Sequence, residues 1–206
     1  MKVLLINGSS RANGCTFTAL SEVQAQLEKE GIATELVQIG TKPIRGCIAC
    51  QSCRGKGKCV FNDDLANEVR EKLNAADGLV VGSPVYYASA NGSLISLLDR
   101  IFYPGGQFAH KPAAAVVSAR RAGTTATLDE IYKYFAINQM PIVSSVYWPM
   151  VHGNTPEQVR EDLEGMQVMR TLARNMAWLL KSIEAGKQAG IGIPEAEPRI
   201  FTNFIR

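Results

Sequence analysis

The chain has 206 residues, 46% of them hydrophobic and 20% charged, with a formal net charge of +3 at pH 7. That length suits one α/β domain over residues 1–206 with a sizeable core, and the composition is that of a soluble globular protein. The basic residues are scattered, which argues against a nucleic-acid partner, and no apolar stretch approaches the roughly 20 residues of a membrane span.

The first stretch, Lys2 to Thr18, reads KVLLINGSSRANGCTFT. Val3 to Ile6 is an apolar run too short for a helix and bounded by Asn7-Gly8, which predicts a strand buried on both faces. Small and polar residues follow, with Arg11 as the one cation. From Thr16 the pattern turns helical, with Phe17, Leu20, Val23, Ala25 and Leu27 on an apolar face. Strand, small-residue loop and helix N-terminus together aim free N–H groups and a helix dipole at one point, which suits a phosphate. The loop lacks the Gly-Lys-Ser/Thr ending of a P-loop, and Gly8 and Gly14 do not make the three-glycine dinucleotide fingerprint. An ordinary strand-to-helix turn with capping hydroxyls is the alternative. MKVLLINGSS has too short an apolar run for a signal peptide, so a cytoplasmic location is expected.

The first helix is expected to stop at Gly31. Ile32 to Ile39 alternates apolar and polar, which predicts a second strand near the sheet edge and a right-handed βαβ unit. Gly40 to Asn62 shows no periodicity and contains a cysteine-rich loop over 43–62. Its Cys47, Cys50, Cys53 and Cys59 are spaced C-x2-C-x2-C-x5-C, four of the five cysteines in the chain. Such packing argues against a disulfide framework in a reducing compartment. Thiols two residues apart face one point only if the backbone curls tightly, which Gly46, Gly55 and Gly57 permit. A zinc site is one chemical reading, although four-cysteine zinc sites usually use two well-separated pairs. Free thiols that cover a ligand or build an interface are another. Asp63-Asp64 reads as the start of a helix to about Ala76, rather than as metal or general-base chemistry.

Asp77 to Ser83 predicts the third strand. It runs into Pro84-Val85-Tyr86-Tyr87-Ala88-Ser89-Ala90-Asn91-Gly92, at the strand end where open α/β sheets bind ligands. Tyr86, Tyr87, Ser89 and Asn91 offer aromatic faces and hydrogen-bond donors to a flat ring. A helix over Gly92–Phe102 ends in Asp99-Arg100, read as a structural pair. Lys111 to Ala119 is the fourth strand, emptying into a loop with Ser118, Arg120, Arg121, Gly123 and Thr124. A helix from Thr125 to about Asn138 follows, then a fifth strand over Pro141–Val151. One long helix runs from Thr155-Pro156 to about Glu184, and an apolar tail over 186–206, with Ile200, Phe201 and Phe204, is expected to lie across a partner subunit. Neither His110 nor His152 is placed for catalysis.

Three stretches carry a resemblance. The loop G-S-S-R-x-x-G-x-T, the loop S-P-V-Y-Y-x-S-x-N-G and the helix ending Asp99-Arg100 resemble the NAD(P)H-dependent FMN reductase family. The family often has a lysine four residues before that aspartate, where this chain has Ile95. The cysteine run resembles the compact motif of the iron–sulfur flavoproteins, relatives of that family that carry a 4Fe-4S cluster beside the flavin. The resemblance implies a flavodoxin-like, doubly wound, five-stranded parallel sheet in three α/β/α layers. It implies FMN with its phosphate on Ser9, Arg11, Asn13, Cys15, Thr16 and Thr18. The ring would lie on Pro84, Val85, Tyr86, Tyr87, Ser89 and Asn91, with Ser118, Arg120, Gly123 and Thr124 on its other edge. No catalytic side chain is needed, because hydride chemistry belongs to the cofactor. The implied function is an FMN-dependent oxidoreductase that takes electrons from NAD(P)H and passes them to a quinone, flavin or similar acceptor. The alternative is an electron-transfer protein with a cluster on Cys47, Cys50, Cys53 and Cys59 serving redox-protein partners. A non-catalytic flavin-binding or redox-sensing module is a third reading. A homodimer or homotetramer is expected.

Overall fold

A computed structural model describes residues 1–198 and 200–202. Five strands, β1 (Lys2–Asn7), β2 (Ala33–Gln38), β3 (Gly78–Pro84), β4 (Ala113–Ala119) and β5 (Met150–His152), form one parallel sheet in the order β2-β1-β3-β4-β5. Register places Leu5 beside Leu36 on one side and Val80 on the other, and Val81 beside Ala115. This is the doubly wound flavodoxin-like order, with its switch point between β1 and β3.

The continuous apolar runs explain the layers. Successive strand residues point to opposite faces, so Leu4 and Ile6 join one core while Val3 and Leu5 join the other. The first core is covered by α2 (Ala66–Ala75), α3 (Gly92–Phe102) and α4 (Thr124–Ile137), through Val69, Leu97, Ile101 and Phe135. The second is covered by α1 (Cys15–Lys29) and α6 (Leu163–Gln188), through Leu20, Val23, Met169 and Met176. Each fully buried leucine or isoleucine contributes about 1.5–3 kcal/mol. The methionines of α6 are packing residues, as their spacing implies.

Two elements differ from expectation. The fifth strand is three residues long rather than spanning Pro141–Val151. Ile142 makes one bridge to Ala113, and Val143 N–H donates to the Ala113 carbonyl at 2.8 Å. The chain then leaves the edge, because Ser145 donates to the Val168 carbonyl and Asn175 donates to the Ser144 carbonyl. Pro141 and Pro149 have no N–H for a ladder in any case.

The long final helix is two. α5 (Pro156–Glu161) stops at Asp162, whose ψ of 78° is not helical, before α6 starts. The Asp162 carboxylate accepts from the N–H groups of Gly165 and His152, at 2.9 and 2.7 Å, so it caps α6 and ties it to β5. Asp162→Ala is expected to lower stability by about 1–2 kcal/mol, read as a lower urea midpoint with an unchanged m value.

No described helix is long and apolar enough to cross a membrane.

Candidate functional site

β1, β3 and β4 end side by side, and their loops meet at the carboxyl edge. Gly8 lies against the end of β3, its N–H donating to the Gly82 carbonyl at 2.8 Å. A Cβ there would stand 2.5 Å from both Gly82 O and Leu94 Cδ2. Asn7 accepts from Ser9 N–H and Ser9 Oγ accepts from Arg11 N–H, each at 3.1 Å, which fixes the turn from within. No side chain caps α1, and the N–H groups of Cys15, Thr16 and Phe17 donate to no protein acceptor among the described residues. The first turn of α1 therefore presents the donors and positive dipole end that an anion needs.

The second loop is a small antiparallel turn closed by a bridge between Val85 and Ala90. Tyr86 reaches across to the first loop. Its hydroxyl lies 2.7 Å from Ser10 Oγ and accepts from Ser10 N–H at 3.1 Å. Burial pushes the Tyr86 pKa up, but hydrogen bonds from Ser10 and Ser9, with the charge of Arg11, outweigh it and bring the hydroxyl below its usual range. Tyr87 is fully exposed. Ser89 donates to the Glu130 carboxylate at 2.5 Å, anchoring the loop to α4.

The third loop follows β4. Ser118 Oγ lies 2.8 Å from Thr16 Oγ1, joining it to α1. Gly123 begins α4 at φ 90°, where a side chain is strained, and a Cβ would stand 2.8 Å from Val85 Cγ1. A fourth segment, Gly153-Asn154 after β5, completes the rim, and the Cys15 thiol faces the Gly153 carbonyl at 3.6 Å. Burial pushes that thiol's pKa up, against its own backbone N–H and Arg11.

The resulting cleft of about 170 Å³ is lined by Ser9, Arg11, Cys15, Thr16, Pro84, Val85, Tyr86, Ser118, Ala119, Arg120, Gly153 and Asn154. Two arginines and no carboxylate line it. A larger cavity, about 630 Å³, lies at the opposite edge between Met1, Asp77, Pro112 and the tail at Ile193–Ala196. We assign the candidate site to the smaller cleft, because the strand ends, the open helix N-terminus and the arginines converge there.

Several expected residues stand elsewhere. Asn13 is exposed off the cleft, and Thr18 is buried with its hydroxyl donating to the Gly14 carbonyl. Asn91 caps α3 by accepting from Ser93 N–H, and it donates to the Gly8 carbonyl at 2.7 Å. Ser89, Gly123 and Thr124 shape the loops without lining the cleft, and Arg121 is exposed outside it. Ser10, Glu130, Gly153 and Asn154 were not foreseen. The last two also leave a parallel strand's carboxyl end, which is a legible signal; the other two depend on long-range partners.

The cysteine loop folds between β2 and α2. Cys47 and Cys50 are exposed, Cys59 is half-buried and Cys53 is buried. All four line one cavity of about 20 Å³ with Ile48, Val60, Phe61, Arg100 and Tyr103. Its curl uses left-handed backbone at Ala49, Gln51, Gly55 and Gly57. Ser52, through its N–H and hydroxyl, brings the Cys50 thiol below its usual pKa. Among the described residues no three cysteine, histidine or carboxylate side chains converge as ligands of one metal ion. Asp64, expected to start α2, instead pairs with Arg100 and accepts from Arg45 N–H and Ala66 N–H, while α2 begins two residues later.

A family model for NADPH-dependent FMN reductases matches residues 1–155. An iron–sulfur flavoprotein of Methanocaldococcus jannaschii is 33% identical over 194 residues, covering 89% of this chain and all of the relative. Among solved structures, RosB with a bound 8-demethyl-8-formylriboflavin-5'-phosphate superposes with a TM-score of 0.70 at 17% identity, over all of this chain and 92% of that one. A flavodoxin from the domain Archaea superposes with a TM-score of 0.59 at 15% identity, over 88% of this chain and 99% of that one. These two likenesses concern the fold.

Proposed function

The chain belongs to the NADPH-dependent FMN reductase family, and from that membership we propose that it binds FMN in the carboxyl-edge cleft, takes electrons from NAD(P)H and passes them to a second acceptor. The observation that carries this reading is the convergence of an uncapped helix N-terminus with two arginines and no acid in one cleft. An FMN phosphate fits that donor set: Cys15, Thr16 and Phe17 have free N–H groups, and Arg11 adds a charge-assisted contact. Tyr86 and Tyr87 would offer faces to the ring, and Arg120 a cation to its carbonyl edge. Bound there, FMN supplies hydride and single-electron transfer. The protein's part is to hold the phosphate end and keep the loops in register through Tyr86–Ser10, Thr16–Ser118 and Ser89–Glu130.

The test of the phosphate assignment is Arg11→Ala. Loss of a charge-assisted contact is expected to weaken FMN binding about 10- to 100-fold, measured by flavin fluorescence quenching. Unchanged affinity would overturn the assignment. Mixing NADH or NADPH with the holoprotein without oxygen and following flavin bleaching tests the donor; no bleaching with either would remove the reductase reading.

The cysteine pocket favours a second reading, an iron–sulfur flavoprotein that relays electrons to a redox partner. Four thiols and no carboxylate surround one cavity, which suits the donor chemistry of a 4Fe-4S cluster. At about 20 Å³ the cavity has room for about one water, so the exposed arm carrying Cys47 and Cys50 must move outward to admit a cluster. An absorbance spectrum with iron and sulfide assay on protein purified without oxygen decides it. Flavin bands with stoichiometric iron support the relay; flavin bands alone leave the direct reductase. Exposed Tyr147, Trp148 and Trp178 support an assembly of two or four copies, read by light scattering.

A further inference from the structure

Two buried arginines hold the cysteine loop: Arg100, from the Asp99-Arg100 end of α3, lines its pocket, and Arg70, which no motif marked, grips the loop at Gly57. Arg100, at the end of α3, donates from Nε to Cys59 Sγ at 3.3 Å. It also donates to the carbonyls of Arg45 and Phe61, at 3.1 and 3.0 Å, and forms an ion pair with Asp64. Both ends of the cysteine loop are thereby clasped by one guanidinium. Arg70, on α2, is 3% exposed and donates to the carbonyls of Gly57, Ile101 and Gly105. Its guanidinium stands 5.2 Å from the Phe108 ring, and no carboxylate pairs with it among the described residues.

A buried cation satisfied only by carbonyls lacks a counter-charge, and burying one unpaired is costly. Asp64 is already engaged by Arg100. Arg70 instead holds the cysteine loop between Cys53 and Cys59 through the Gly57 carbonyl, so its charge is fixed beside the loop that carries the thiols.

We propose that Arg100 and Arg70 are positioning residues that keep the four-cysteine pocket electropositive and thereby raise the reduction potential of the iron–sulfur cluster bound there. The inference rests on the cluster reading given above. Reduction of such a cluster adds one electron and no proton, so the pocket gains one negative charge. Fixed cations and a hydrogen bond to a ligand sulfur favour that state.

The experiment uses the full chain, wild type and two variants, purified without oxygen and assayed for iron, sulfide and FMN. The readout is the cluster's midpoint potential, from a redox titration followed by electron paramagnetic resonance. Arg70→Gln removes a cation and is expected to shift the potential downward. Asp64→Asn frees the Arg100 charge from its carboxylate and is expected to shift the potential upward. Shifts of opposite sign follow from charge; structural damage exposes the cluster to water in either variant and moves both potentials the same way. Equal potentials in all three proteins, each with its full iron, would overturn the proposal. Should Arg70→Gln fail to fold or to hold iron, Asp64→Asn decides alone: a rise supports the proposal, and no change or a fall overturns it. Absence of iron from the wild-type protein would remove the cluster reading itself, and the inference with it.

Discussion

Arg100→Met is expected to destabilise the protein by about 3–5 kcal/mol, because it leaves a buried carboxylate without its partner. The side chains of Arg100 and Asp64 are 1% and 6% exposed, so water cannot take the guanidinium's place. The carbonyls of Arg45 and Phe61 also lose a donor, and each unsatisfied group adds to the loss. Thermal denaturation should show the midpoint falling by roughly 10 °C for a domain of this size. Limited proteolysis should cut between residues 45 and 64 first, because that segment has no regular structure and Arg100 is the side chain that ties its two ends together. Asp64→Leu in the same chain is expected to recover part of the loss, since removing both charges is far less costly than removing one. A midpoint within about one degree of wild type would mean that the loop is held by other contacts.

Gly8→Ala is expected to damage the fold and the cleft together. The added methyl would meet the Gly82 carbonyl oxygen, a backbone atom inside a three-strand ladder, as well as the end of Leu94. Leu94 can rotate, but the carbonyl can move only if β3 moves. Overpacking of this kind costs about 1–3 kcal/mol. The shift also falls on the turn that sets Ser9, Arg11 and the start of α1, so FMN affinity is expected to drop at least about tenfold with it. Gly92→Ala is the control. A Cβ there meets nothing within 4 Å, and it lies in the first turn of α3. Its stability is expected to be unchanged or higher by about 0.4–1 kcal/mol, with FMN binding as in wild type. Equal behaviour of the two variants would sink the packing argument.

Local sequence determined what local physics controls. The runs at Val3–Ile6, Leu79–Val81 and Ala113–Val117 are apolar on both faces, so they read as buried strands of a parallel sheet, while the order of the strands shows only in the fold. α3 starts and stops where Asn91-Gly92 and Phe102 predicted. The small-residue loops after β1, β3 and β4 identified the ligand edge, because open α/β sheets bind ligands there. Thr18, Asn91 and Ser89 show the limit. Each has a side chain that suits a ligand, yet the fold turns it to Gly14, Gly8 and Glu130 respectively; the first is an ordinary i−4 helix bond, and the other two partners are too distant in the chain to be read from spacing. The same holds for the break at Asp162, which depends on β5 lying near enough to donate His152 N–H.

The four cysteines announce themselves in the sequence; Arg70 does not, and Arg100 reads as paired with its neighbour Asp99, whereas the fold pairs it with Asp64 and Cys59. Arg100 is 41 residues from Cys59, and Arg70 is 35 from Gly105. On a helix drawn from sequence alone, Arg70 would be assigned to solvent, where a charge is stable without a partner. Only the packing of α2 and α3 against the loop buries both arginines, and burial makes Arg70 a fixed charge without a carboxylate among the described residues. The ligand edge was therefore legible because it depends on chain order, and the electrostatics of the cysteine pocket were not because they depend on which distant groups the fold shuts away from water.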